Sequence, residues 1–145
     1  MLCVETVIYG HTMAKTSLNN YPIHLGLGAT AITQPEFTGE MDWYQGYGER
    51  NGADGVEGRL VSMHTFTESW DVWEMHPKGA EVVLCTAGSI ELIQEIDGAE
   101  VATTLEVGEY AINEPGTWHT ANVTVPTTAV FITAGLGTEH RPRDL

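Results

Sequence analysis

Four residues in the middle of the chain have the types and spacing of a metal-binding set. In Trp70-Asp71-Val72-Trp73-Glu74-Met75-His76, the alternation of a strand puts Trp70, Val72, Glu74 and His76 on one face. A face that begins apolar and ends in a carboxylate and an imidazole is unusual. After the turn Pro77-Lys78-Gly79-Ala80, the next apolar run opens with Glu81, and a return hairpin would bring that carboxylate back beside His76. The fourth member is His119, which follows the turn Glu114-Pro115-Gly116 and shares a strand face with Ala121 and Val123. That is the placement of a ligand at the rim of a barrel.

Each residue also has a plainer role. A single His is more often a hydrogen-bonded structural group, and a Glu at a turn is more often solvated. Two buried carboxylates repel each other unless a cation lies between them, so four inward side chains favour a divalent ion. Imidazole suits Fe, Ni and Zn, whereas carboxylate favours harder ions such as Mn. Dropping either Glu leaves the facial triad of a non-haem Fe(II) site.

The elements that must hold these residues read as short strands. Runs rich in Val, Ile, Thr and Trp cover residues 59–67, 70–76, 81–87, 89–96, 101–105, 110–113, 118–123 and 129–134. Their separators, such as Gly88, Asp97-Gly98 and Pro126, are turn-forming residues. Eight strands so close together leave little room for helices and predict an all-β sandwich or barrel. Residues 58–137 form the predicted barrel core, 1–57 a covering segment packed on it, and 138–145 a C-terminal tail, all in one structural domain. Within the covering segment, residues 21–27 suit a strand. Trp43, Tyr44 and Tyr47 are expected to pack on the outside of the barrel or at a subunit interface rather than to cage a ligand. Neither His11 nor His24 can be placed.

In this frame Glu74-x-His76, four residues, Glu81, six residues and Gly88 resemble the first cupin motif, with Glu74 where the first His is usual. Gly108 followed by Glu114-x-Gly116-x-x-His119 is similar to the second, with Pro115 one place late and Val123 where Asn is usual. The resemblance spans residues 74–123. It implies a double-stranded β-helix, the jelly-roll barrel of the cupins, commonly a homodimer. It also implies a divalent metal (Mn, Fe, Ni or Zn) held by Glu74, His76, Glu81 and His119.

Composition narrows the partners. Six Lys and Arg stand against twenty Asp and Glu, a formal charge of −14, which repels nucleic acid and anionic membranes. Only His140-Arg141-Pro142-Arg143 gathers basic residues; it either meets an anionic ligand at the barrel mouth or forms a disordered tail. Cys3 and Cys85 form no CxxC pair, and Cys85 in its apolar run reads as a buried thiol. Residues 1–9 lack a basic region, so a secretory signal is not expected. No run has the ~20 apolar residues of a membrane span. A soluble, cytoplasmic protein is the expectation.

The function expected is a metal-dependent enzyme, an oxygenase or isomerase, acting on a small polar or anionic organic substrate, with Glu74 or Glu81 as general base. One alternative is a non-catalytic cupin that binds or senses a small molecule. Another is a metal-free sugar-type epimerase using His64 or His76 with Tyr110 as acid and base, although so few basic residues make a poor cradle for a diphosphate.

Overall fold

The computed structural model describes residues 15–144; Cys3 and His11 lie outside them. Eight strands follow the predicted runs closely: β3 Arg59–Phe66, β4 Val72–Met75, β5 Glu81–Ala87, β6 Ser89–Ile96, β7 Ala99–Glu106, β8 Tyr110–Asn113, β9 His119–Asn122 and β10 Thr127–Thr133. Ahead of them lie β1 Ile23–Gly26 and β2 Thr30–Thr33; Glu139–Pro142 forms β11. One sheet has the order β2-β1-β3-β10-β5-β8 and the other β11-β4-β9-β6-β7. Without β1, β2 and β11, the first strand pairs with the eighth and the second with the seventh, and consecutive strands change sheet except at the β6–β7 hairpin. This wrapped order is a jelly roll, the double-stranded β-helix.

The core forms where the two inner faces meet. Val83, Cys85, Ile90, Leu105, Ala121, Val123, Ala129 and Phe131 are buried there, with Phe66 and Trp70 packed against them. Strand parity explains the set: Val83 and Cys85 alternate with half-buried Val82 and Leu84. The Cys85 thiol donates to the carbonyls of Ala87 and Gly88, and burial raises its pKa, as an inert core thiol requires.

Three features depart from the sequence reading. Residues Met41–Asn51 form an α-helix, α1, where no helical period is apparent. Gly46 and Gly48 weaken its propensity, and Glu40 provides no side-chain cap. Tertiary contacts hold it instead: Trp43 is buried, its Nε1 donates to the Pro35 carbonyl at 3.1 Å, and its ring packs edge-on against Phe37.

The link from β4 to β5 is not a hairpin, because the two strands belong to opposite sheets. The Pro77–Ala80 turn carries the chain across the barrel, so His76 and Glu81 face each other from opposite walls.

The basic C-terminal segment is an edge strand rather than a disordered tail. Strand β11 pairs with β4, and the Arg141 guanidinium lies over Trp73 and Trp118, 5.0 and 4.5 Å from their ring centroids, with an ion pair to Glu95. Arg143 donates to the carbonyls of Trp70 and Ala121 at 3.0 and 3.1 Å. These cations act as cross-braces.

Candidate metal centre

Backbone register brings the four residues together. On β4 and β9, Glu74 and His119 are direct partners, and His140 sits opposite Glu74 from β11. The Gly116 N–H donates to the His76 carbonyl at 2.9 Å. Gly116 has φ +82°, a conformation open to glycine with little strain, so the Pro-Gly turn that leads into β9 is pinned beside His76. Ligand atoms of Glu74, His76, Glu81 and His119 all lie within 4.8 Å of one another. His76, Glu81 and His119 are buried, while Glu74 is 27% exposed.

The outer nitrogen of each imidazole has a fixed job. His119 Nδ1 lies 3.0 Å from the Thr117 carbonyl, which can only accept, so Nδ1 carries the proton. His76 Nδ1 lies 2.7 Å from the Thr138 hydroxyl, whose own proton goes to the Gly135 carbonyl; Nδ1 is again the donor. In the neutral rings both Nε2 lone pairs therefore point into the cluster. There, His76 Nε2 is 3.2 Å from Glu74 Oε1 and from Glu81 Oε2, and His119 Nε2 is 3.2 Å from Glu81 Oε1. Neither Nε2 makes a hydrogen bond of acceptable geometry, and both are buried. Buried, unpartnered imidazole nitrogens facing two carboxylates form a donor set that fits a divalent ion.

Several supporting residues gave no motif signal. Asn113 donates to Glu81 Oε1 at 3.1 Å, Gln94 to Asn113 Oδ1 at 2.7 Å, and Thr133 to Glu81 Oε2 at 2.6 Å. His140 Nε2 lies 2.9 Å from Glu74 Oε2. Gln94 left a trace in the sequence as a polar residue on the inward parity of Ile90 and Leu92, and His140 as part of the basic C-terminal segment.

Electrostatics separates the two carboxylates from the two rings. Burial pushes Glu81 up, but His119 and His76 outweigh it and hold the carboxyl down at about 2. Glu74 is likewise pushed up by burial and held far below the usual range by His119, His140 and His76. Burial lowers the two imidazoles, and the facing Glu74 and Glu81 raise each to about 9.

Without a cation the cluster thus holds two carboxylates and two imidazoliums, and a divalent ion that displaces both protons leaves its charge unchanged. Raised imidazole pKa values stabilise the fold fully below the usual 6.5, a contribution lost as pH rises through about 9. The lowered carboxyl of Glu81 contributes above the usual 4.5 and loses that as pH falls through about 2. Apparent metal affinity should therefore climb with pH from 6.5 to about 9, with one proton released by each imidazole. Calorimetry in buffers of different ionisation enthalpy reads that release; a flat profile would contradict it.

A cavity of about 890 Å³ opens onto the cluster. Tyr44 and Tyr47 of α1 help line it, contrary to the expected outside packing. Burial, then the charges of Glu74 and Glu81, raise the Tyr44 phenol to about 12. His64 is a wall residue, packed at tilted or edge-on angles among Phe37, Phe66 and Phe131, and burial lowers its pKa. Tyr110 is 63% exposed and pairs with outward-facing Leu84, so no His–Tyr acid–base pair forms through it.

No protein-family model matches the chain, and no curated protein matches it. Among solved structures, an uncharacterised protein with a double-stranded β-helix domain from Klebsiella pneumoniae is 21% identical, covering 60% of this chain and 76% of that one, with TM-score 0.48. An oxalate oxidase is 14% identical over 55% of this chain and 44% of its own, TM-score 0.48. Hydroquinone 1,2-dioxygenase from Sphingomonas sp. TTNP3 is 17% identical over 52% and 59%, TM-score 0.42. These likenesses are distant; strand order and register in the chain itself define its architecture. The chain has the double-stranded β-helix fold. No described helix is long and apolar enough to cross a membrane.

Proposed function

We propose that the protein is a metal-dependent enzyme acting on a small organic molecule bound in the cavity. The observation that carries this reading is the pair of buried, unpartnered Nε2 atoms of His76 and His119, aimed with two carboxylates at one point. His76, His119 and Glu81 would hold a divalent ion, which when bound supplies Lewis-acid or oxygen-activating chemistry.

Glu81 is almost fully buried and both its oxygens accept hydrogen bonds from the protein, so it is a fixed ligand. Glu74 has one oxygen in the cluster and the other toward His140 at the cavity. That division suits Glu74 to leave the ion and take a substrate proton, with His140 orienting it. Elemental analysis of protein purified without added metal, beside a Glu74→Ala, His119→Ala double variant, tests the reading. Metal in the wild type alone supports it; none in either retires it. Should metal be present with no turnover, the non-catalytic binding cupin is the reading that survives.

A homodimer has its own support. On the outer face of the six-stranded sheet, Ile23, Val61, Ile132, Val82 and Ile112 align in one row and Met63, Val130, Leu84 and Tyr110 in the next. No charge interrupts either row. In a chain of net charge −14, an uncharged apolar face lets two copies meet with least repulsion. Light scattering should give twice the chain mass of 15.8 kDa, and Leu84→Glu should return it to the monomer. A monomeric wild type overturns the proposal.

A further inference from the structure

The cavity has a second polar end. Across the inner face of one sheet, register aligns His24, Leu60, Thr133 and Glu81 in one row. His24 and Glu81 are therefore three strand spacings apart, about 14 Å between backbones. His24 is 1% exposed; its Nε2 lies 2.6 Å from Asp54 Oδ2 and its Nδ1 2.7 Å from the Tyr47 hydroxyl.

Proton positions follow from the partners. With the Asp54 carboxylate accepting the Nε2–H, the tautomer with a bare Nδ1 accepts from Tyr47. In that arrangement Tyr47 spends its one proton on His24, and its oxygen accepts a hydrogen bond from the cavity it lines.

Between the two ends the row carries Leu60 and Thr133, and the aromatic rings of Phe66, Trp70 and Phe131 line the same cavity together with Ser62 and His64. Among the described residues no Lys or Arg lines it, while Glu68 and Asp71 do, in addition to the charge-balanced cluster of Glu74, Glu81 and their two imidazoles. Those two further carboxylates disfavour an anion, which narrows the polar or anionic substrate expected from sequence.

We propose that the cavity takes an elongated, uncharged aromatic molecule with a hydroxyl at the end remote from the metal-type cluster, and that Tyr47, oriented by His24 and Asp54, accepts that hydroxyl. The inference rests on the cavity being the ligand site, but not on a metal.

Calorimetry on the full chain, with and without added Mn²⁺, can use three probes: p-phenylphenol, biphenyl and p-phenylbenzoate. One net hydrogen bond should make the phenylphenol bind about 5-fold tighter than biphenyl, with the benzoate weakest. Tyr47→Phe keeps the ring stacked parallel to Trp43 and should bring the hydroxyl's advantage to about 1-fold, as should His24→Gln, which removes the orienting group. If Tyr47 only ties α1 to β1, phenylphenol and biphenyl weaken together and their ratio survives, which overturns the proposal. So does tightest binding of the benzoate, or no binding by any probe. A metal-free protein that keeps the Tyr47-dependent ratio would retire the proposed enzyme and leave this inference standing; metal uptake without the ratio would do the reverse.

Discussion

His119→Ala is expected to weaken divalent-metal binding by more than about 100-fold. Altering a residue that only orients a ligand costs about 10- to 100-fold, and His119 is itself one of the four candidate donors. It is fully buried, its Nδ1–H is committed to Thr117, and its Nε2 has no other partner. No nearby side chain replaces it: Gln94, its neighbour on β6, is engaged with Asn113 and the Ile112 carbonyl. Chelator competition and elemental analysis measure the loss, and circular dichroism verifies the fold. Because the substitution also removes one of two imidazoliums facing Glu74 and Glu81, His119→Gln, closer in volume, serves as a second variant. Metal content unchanged in both would end the metal-centre reading.

Gly88→Ala should destabilise the fold by about 2–5 kcal/mol, the sum of roughly 1–2 for a left-handed non-glycine residue and 1–3 for overpacking. At this chain length that is roughly 10 °C in Tm. Gly88 has φ +73°, and a Cβ there would run into the Pro126 carbonyl and Thr127. Thr127 cannot retreat cheaply, since its hydroxyl donates to the Ser89 and Val125 carbonyls at 2.8 and 2.9 Å. Gly98 supplies the control: its φ is +80° but nothing lies within 4 Å of an added Cβ, so Gly98→Ala should show only the backbone part. Equal losses in urea or thermal unfolding would refute the close approach. Gly88 follows the far end of β5 from Glu81, so metal content should match the wild type.

Much of the barrel was legible because its information is local. Strands β5 and β10 alternate between inner and outer residues, and turn residues such as Asp97-Gly98 punctuate the run from β3 to β10. The same parity put Glu74 and His76 on one face with Trp70. Helix α1 was not legible, since two internal glycines mask its period and its support comes from Phe37 and Pro35. The role of the tail was hidden as well: Arg141 has purpose only once Trp73, Trp118 and Glu95 surround it.

By itself the sequence determined which residue types recur at strand spacing, and hence the all-β architecture and the four candidate donors. Only the tertiary structure decided how they meet. Glu81 faces His76 across the barrel because the intervening turn changes sheets, and Glu74 differs from Glu81 because one lies at the cavity and the other beneath Asn113 and Thr133. Likewise, His24, Tyr47 and Asp54 carry no motif and come together only when α1 closes over the sheet. Hydrogen bonds and charge depend on distance in space, and residues far apart in sequence acquire that distance only when the chain folds.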